Sequence, residues 1–198
     1  AGASLVPSPV MATRYPAACS FRMSASLSSG VASARKSSTP ASRAIAAAVK
    51  GIASGQVQAL KADSGCVKWT FQANAPVRSA VLAVPLGDKH ALLFGDQTGF
   101  FYALEAETGA LLWKKRIETH DAARLTGAPV VYNGNVFVPV ASWEETRSLD
   151  PTYPCCTFRG SIVALRIQDG QQVWKTYLVP EPKPTGKTKR GTQQHGPS

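Results

Sequence analysis

The chain has 198 residues, 44% hydrophobic and 17% charged, a globular composition with no apolar run of 18 or more residues that could span a bilayer. Four cysteines (Cys19, Cys66, Cys155, Cys156) are too few for a disulfide scaffold, and CxxC, CxxCH, GxSxG, HExxH, the P-loop and GxGxxG are all absent. The net charge of +10 suggests an anionic partner, but residues 63–182 balance eleven Lys/Arg against twelve Asp/Glu, and the excess lies at the two ends. The terminal lysines have no interleaved aromatics, so no nucleic-acid partner is expected.

Residues 1–50 are built from Ala, Ser and Arg without an acid, as in MSASLSSGVASARKSSTPASRAIAAAVKG. Such a segment cannot bury enough apolar surface to fold alone. It is expected to be a disordered or mistranslated leader. A transit peptide is a second reading, and a secretory signal is disfavoured because no compact apolar stretch follows the basic residues. Ala44 to Val49 could form a short helix.

From Gly51 the texture changes, and three segments superpose: SGQVQALKADSGCVKW (54–69), TGFFYALEAETGALLW (98–113) and RGSIVALRIQDGQQVW (159–174). In each copy the second Gly follows the first by ten residues and Trp follows by four more. Alternation before Ala-Leu, a turn with Gly where φ is positive and a closing strand make each copy a β-hairpin. A large ring recurring at one place per repeat packs neighbouring sheets together, and Trp69, Trp113 and Trp174 are assigned that role.

Two further strands precede the second hairpin (Val77 to Val84, Ala91 to Gly95) and the third (Ala128 to Tyr132, Asn135 to Val140, joined at Asn133-Gly134). Four antiparallel strands per unit of about 44 residues is the signature of a β-propeller blade. The fold class is therefore all-β, a partial β-propeller of about two and a half blades: half a blade (55–71), a whole one (77–116) and another (127–177). Closure takes roughly four to eight blades. The chain is expected to be a fragment, with residues 51–182 as blades and 183–198 as a basic Pro/Gly-rich loop leading to the next blade.

The third copy comes 61 residues after the second rather than 44, so it carries an insertion of 17 residues, including PTYPCCTFRG (151–160). Adjacent cysteines bond only with a distorted peptide, because neighbouring Cα atoms lie closer than a disulfide prefers. On these residues alone, Cys155 and Cys156 are either two unrelated thiols or a strained ring with a task. Glu144-Glu145, Thr126 and Arg124 each have a plain reading as well: a solvated loop pair, a strand-edge hydroxyl and a surface arginine.

The form ALxAxxGxxxW resembles the tryptophan-docking repeat of pyrroloquinoline-quinone (PQQ) enzymes and their relatives. RLTGAPVVYNGNVFVPVASWEE (124–145) followed by FRGSIVALRIQDGQQVWKTYLVPEP (158–182) is similar to the quinone- and calcium-binding blade of quinoprotein alcohol dehydrogenases. The passage YPCCTFRGSIVAL with KTYLVPEPKPTGKTKRGTQ and GPS is similar to the polyvinyl alcohol dehydrogenase branch. The resemblance implies cofactor-binding roles for Arg124, Thr126, Ser142, Trp143, Cys155 and Cys156. It also implies a Ca²⁺ ligand at Glu144 or Glu145, with the cysteines forming a disulfide lid against the quinone. Ca²⁺ is a hard ion that takes carboxylate oxygens.

The resemblance implies a periplasmic or secreted, PQQ- and Ca²⁺-dependent dehydrogenase of secondary or polymeric alcohols. Its electrons would pass to a cytochrome c electron acceptor or a c-type haem outside this fragment. The general-base aspartate of such enzymes belongs to a later blade, so no catalytic residue is assigned and the piece alone is expected to be inactive. The alternative is a non-catalytic PQQ-repeat scaffold, like the outer-membrane assembly lipoproteins. A pure scaffold has no use for the Glu144-Glu145 turn and the Cys155-Cys156 pair, and that separates the two.

Overall fold

The computed structural model describes residues 47–51 and 54–196. Three antiparallel sheets of three to five strands follow one another along the chain, and a two-stranded sheet comes after them. The first has β1 (Ala47–Gly51), β2 (Gln56–Lys61) and β3 (Val67–Gln72), in that spatial order. The second has β4 (Leu82–Leu86), β5 (Lys89–Gly95), β6 (Phe100–Glu105) and β7 (Leu111–Arg116), again in sequence order. In the third, β8 (Ala123–Arg124) and β9 (Val130–Tyr132) both pair with β10 (Asn135–Ser142), which is followed by β11 (Ser161–Arg166) and β12 (Gln172–Tyr177).

The middle sheet explains its own sequence. Residues 91–95 of β5 and 101–104 of β6 are buried without alternation, because this sheet is covered on both faces by its neighbours. Val57, Ala73 and Val77 pack with Leu92, Phe94, Tyr102 and Leu104 on one side. On the other side Leu93, Phe101 and Ala103 meet Val136, Val138, Val163 and Leu165. Each Val, Leu or Phe among them contributes roughly 1.5–3 kcal/mol when fully buried.

The repeat acquires a physical cause. Ala59, Ala103 and Ala164 lie directly opposite Trp69, Trp113 and Trp174, and in all three hairpins the register shifts at the following Leu. A cross-strand partner shares a face with its neighbour, so a small residue there leaves room for the indole. Trp69 Nε1 donates to the Ala106 carbonyl of the next sheet at 3.0 Å, and Trp113 Nε1 donates to the Ile167 carbonyl at 2.8 Å. The rings lie against Gly109 and Gly170, the turn glycines of the sheet that follows. Trp174, in the third sheet, is 41% exposed.

Three expectations need correction. Val77 to Val84 is not one strand: β4 begins at Leu82, and before it Ser79 Oγ takes the Gly95 N–H at 2.8 Å and donates to the Gly95 carbonyl at 3.0 Å. A side chain thus replaces the ladder there. The first sheet has three strands rather than half a blade, since Ala47–Gly51 is paired with β2 instead of helical; Ala44 to Ala46, and the leader before them, lie outside the described residues. Finally, 183–196 is a hairpin rather than a loop, with β13 (Lys183–Lys187) antiparallel to β14 (Gln193–Gly196). β13 is exposed throughout and β14 is half-buried throughout, so neither has an apolar alternation to betray it.

Candidate functional site

The site is assembled by the long connection between β10 and β11. Ser142 ends β10 opposite Ala123, Trp143 follows, and a single helical turn, α1 (Glu144–Arg147), opens the insertion. Glu144 is 4% exposed and is the hub of the connection. Its Oε1 accepts the Tyr153 hydroxyl at 2.9 Å and the Thr157 N–H at 2.8 Å, and its Oε2 accepts the Phe158 N–H at 2.9 Å. Glu145 is exposed. Adjacent residues on a helical turn do not face each other, so the two carboxylates have different surroundings.

Between the groups that hold Glu144 sits the cysteine pair. Cys155 and Cys156 are joined as a disulfide across a cis peptide, and Cys155 is buried. This segment also anchors the C-terminal hairpin: His195 N–H donates to the Cys155 carbonyl at 2.6 Å, and Cys156 N–H donates to the His195 carbonyl at 3.1 Å.

Arg124, on β8 opposite Ala141, lies beside the start of this loop. Its guanidinium stacks on Trp143 at 4.9 Å from the ring centroid, and its Nη1 donates to the carbonyls of Asp121 at 3.2 Å and Ala123 at 2.6 Å. The Asp121 carbonyl also accepts Arg147 Nη2 at 3.2 Å, so two cations converge on one neutral oxygen. Burial, then the Arg147 charge, pulls Arg124 below its ordinary value. An arginine nonetheless stays charged. Its Nε is buried and has no hydrogen-bond partner among the described residues. Thr126 is exposed in the run between β8 and β9, two residues beyond Arg124.

Several participants carry no signal in the sequence. His120, on the link from β7 to β8, accepts the Ala122 N–H at Nδ1 (3.1 Å) and places Nε2 3.0 Å from Thr157 Oγ1 and 3.9 Å from Glu144 Oε1. Tyr153 carries an Arg147 guanidinium over its ring, and burial, with help from Glu144, raises its phenol above the ordinary value. A cleft of about 340 Å³ opens here, bordered by Thr119, His120 and Asp121 on one side and Arg147, Tyr153 and Thr157 on the other. The stretch PTYPCCTFRG contains Tyr153 and Thr157, but nothing in its letters says that they grip Glu144.

The chain matches, over residues 20–197, the PQQ family described as outer membrane protein assembly factor BamB. It belongs to this family. It is 41% identical over 150 residues to a polyvinylalcohol dehydrogenase from a Pseudomonas species, covering 73% of this chain and 24% of that protein. It is 29% identical over 127 residues to the outer membrane protein assembly factor BamB of Yersinia pestis, covering 61% and 28%. Among solved structures it is similar to the quinohemoprotein alcohol dehydrogenase from Comamonas testosteroni, with 21% identity, a TM-score of 0.53 and coverage of 69% of this chain and 20% of that one. The last likeness concerns the fold, and it supports the partial propeller. The chain thus spans about a quarter of the length of the relatives it matches.

Proposed function

We propose that this chain is part of a PQQ-dependent alcohol dehydrogenase acting on secondary or polymeric alcohols, and that its third blade contributes one wall of the quinone site. The observation that carries this reading is the insertion itself: a disulfide whose flanking residues grip a buried glutamate, in a loop whose first residue, Trp143, stacks on an arginine with an Nε unpartnered among the described residues. The polyvinylalcohol dehydrogenase likeness at 41% identity supports the same class.

The residues fit an anionic quinone. Arg124 would bind it, because its buried Nε lacks an acceptor among the described residues and a planar guanidinium suits a carboxylate. Trp143 stacks on Arg124, Thr126 and Ser142 would offer hydroxyls, and Cys155-Cys156 would close over the quinone as a rigid lid. The quinone, when bound, supplies the hydride-accepting chemistry. The base is expected in a later blade.

Glu144 would serve a Ca²⁺ ion through Oε2, the oxygen with only one donor. It contributes no more than that, since a Ca²⁺ shell takes six to eight oxygens. The described residues contain no group of three or more His, Cys, Asp or Glu side chains able to hold a metal, so the remaining ligands would come from other blades. A periplasmic or secreted location, and transfer of electrons to a cytochrome c or a c-type haem, belong to the same proposal. No helix among the described residues is long and apolar enough to cross a membrane.

A scaffold is the second reading, favoured by the family description and by the Yersinia pestis relative. Reconstitution of the full-length protein with PQQ, with and without Ca²⁺, separates the two. Dye reduction driven by a secondary alcohol is expected; no change in quinone absorbance on addition would leave the scaffold.

A further inference from the structure

We propose that the C-terminal hairpin, β13 with its turn and β14, seats the protein on an anionic lipid surface, holding phosphate-bearing headgroups by charge. This is independent of the dehydrogenase reading and stands whether or not a quinone binds.

The two strands of the hairpin are unlike. Lys183 and Lys187 lie on β13, Lys189 and Arg190 lie in the turn, β14 carries neither Lys nor Arg, and residues 182–198 contain no acid. The turn is closed by the Gly191 N–H donating to the Thr188 carbonyl and the Thr188 N–H donating to the Thr192 carbonyl, both at 2.9 Å, which leaves Lys189 and Arg190 at the tip. The return side is fixed to the insertion. Thr192 Oγ1 donates to the Pro151 carbonyl at 2.8 Å and Gln194 Nε2 to the Tyr153 carbonyl at 3.3 Å, beside the backbone pair between His195 and Cys155. All four cations are exposed, and none is in an ion pair among the described residues. The Asp150 carboxyl is held below its ordinary value chiefly by the Thr152 hydroxyl and N–H and only last by Arg190, so it does not neutralise the hairpin. One strand is thus an anchor and the other a presented row of charge.

The kind of partner follows from what accompanies the charge. Residues 183–191 contain no aromatic and no branched aliphatic side chain, whereas protein interfaces are centred on aromatic and Arg anchors and are poor in Lys. Stacking on nucleic-acid bases is excluded by the same absence. A single phosphate does not fit either, because Lys183 and Lys187 are roughly 13 Å apart along an extended strand and an ammonium is a point charge without a fork. A surface that carries many anions needs neither anchors nor convergence. Clusters of four or more Lys/Arg bind anionic bilayers in this way, through a field that fades within a Debye length.

The test is co-sedimentation of the full-length protein with vesicles of phosphatidylcholine, alone or mixed in equal parts with phosphatidylglycerol. Wild type should sediment with the mixed vesicles and stay behind with the neutral ones. Each charge removed should weaken binding roughly fivefold, so that Lys187→Gln, Lys189→Gln and Arg190→Gln together cost about a hundredfold. These side chains are exposed and unpaired, so an unchanged urea midpoint is expected of the variant; Lys187→Arg with Lys189→Arg keeps the charge and should keep the binding. Raising salt from about 0.1 M to about 0.5 M should release the protein. Binding that is equal on both vesicles, that survives the triple substitution or that is lost in the Lys→Arg variant would overturn the proposal. Competition by inorganic phosphate at equal ionic strength would also overturn it, by showing a discrete phosphate site. No binding to either vesicle removes the lipid surface and leaves an acidic protein as the partner of this charge.

Discussion

Glu144 closes in the third blade the same connection that Asp96 closes in the second. Asp96, fully buried just after β5, accepts the Thr98 N–H at 2.8 Å and the Phe100 N–H at 3.2 Å on Oδ1, and the Tyr102 hydroxyl at 2.7 Å on Oδ2. Glu144, just after β10, likewise takes two backbone N–H groups and one tyrosine hydroxyl. The difference is in what is enclosed. In the second blade the carboxylate pins a four-residue turn, and in the third it pins a loop that carries a disulfide and borders a cleft. An architectural carboxylate has been given an additional setting, and its removal should be felt in the loop first.

Replacing Glu144 by Gln should therefore destabilise the full-length protein by about 2 kcal/mol, since an amide nitrogen would be turned towards backbone donors in a buried place. Tyr153→Phe removes one of the three donors and should cost about 1 kcal/mol. Urea denaturation gives the order of the two, and limited proteolysis should show earlier cleavage between residues 147 and 160 in E144Q. Equal, negligible effects would mean that Glu144 does not close the connection.

The docking of indoles on turn glycines can be tested against a control within the same molecule. A methyl group at Gly109 (φ 73°) would come within 2.6 Å of Trp69, and one at Gly170 (φ 68°) within 2.5 Å of Trp113. Gly134 has the same backbone (φ 75°) and nothing within 4 Å. Gly134→Ala should cost only the left-handed penalty, about 1 kcal/mol. G109A and G170A should cost roughly 1–3 kcal/mol more from overpacking. Melting temperatures of the three variants decide it, and three similar losses would mean that the rings are free to move aside.

The repeat was legible in the sequence because its causes are local: Gly at positive φ, a small Ala opposite a large Trp, and one hairpin per copy. Strands β9 and β10 were legible through Asn133-Gly134 and clean alternation. What escaped was set by long-range pairing. Val77 to Val81 looks like strand, but Ser79 diverts it; the basic hairpin 183–196 has no buried face to read. At the site, Glu144 and Glu145 are indistinguishable as letters, and only the fold of the insertion buries one and exposes the other. His120 entered from a different link altogether, 24 residues before Glu144, so spacing could not connect them.

Acid sensitivity should be visible at the join between the second and third blades. Lys175 Nζ lies 2.6 Å from Glu118 Oε2, and Glu118 Oε1 takes the N–H of Thr119 at 2.7 Å and of His120 at 3.0 Å. Burial pushes the Glu118 carboxyl up, but Lys175 and the two N–H groups outweigh it, so its folded pKa lies below the ordinary 4.5. A depressed folded value means that the contribution is complete above pH 4.5 and is lost as pH falls through the lowered value. Glu118→Gln should cost about 1 kcal/mol at pH 7, and the gap from wild type should shrink below pH 4.5. A gap independent of pH would remove the ion pair as its cause.

Arg124 offers the sharpest separation of a quinone wall from an ordinary blade edge. Its guanidinium is stacked on Trp143, bonded to two carbonyls and left with a buried Nε that has no partner among the described residues, an arrangement that a lysine ammonium cannot reproduce. Arg124→Lys keeps the charge and loses the fork. In the full-length protein, PQQ affinity followed by quenching of tryptophan emission should fall roughly tenfold, the loss expected for a charge-assisted hydrogen bond. Added PQQ should also quench less strongly in Trp143→Phe, because the ring under Arg124 would be the nearest reporter. If R124K binds PQQ as wild type does, the guanidinium does not face the quinone, and the third blade contributes to the propeller without contributing to its cofactor site.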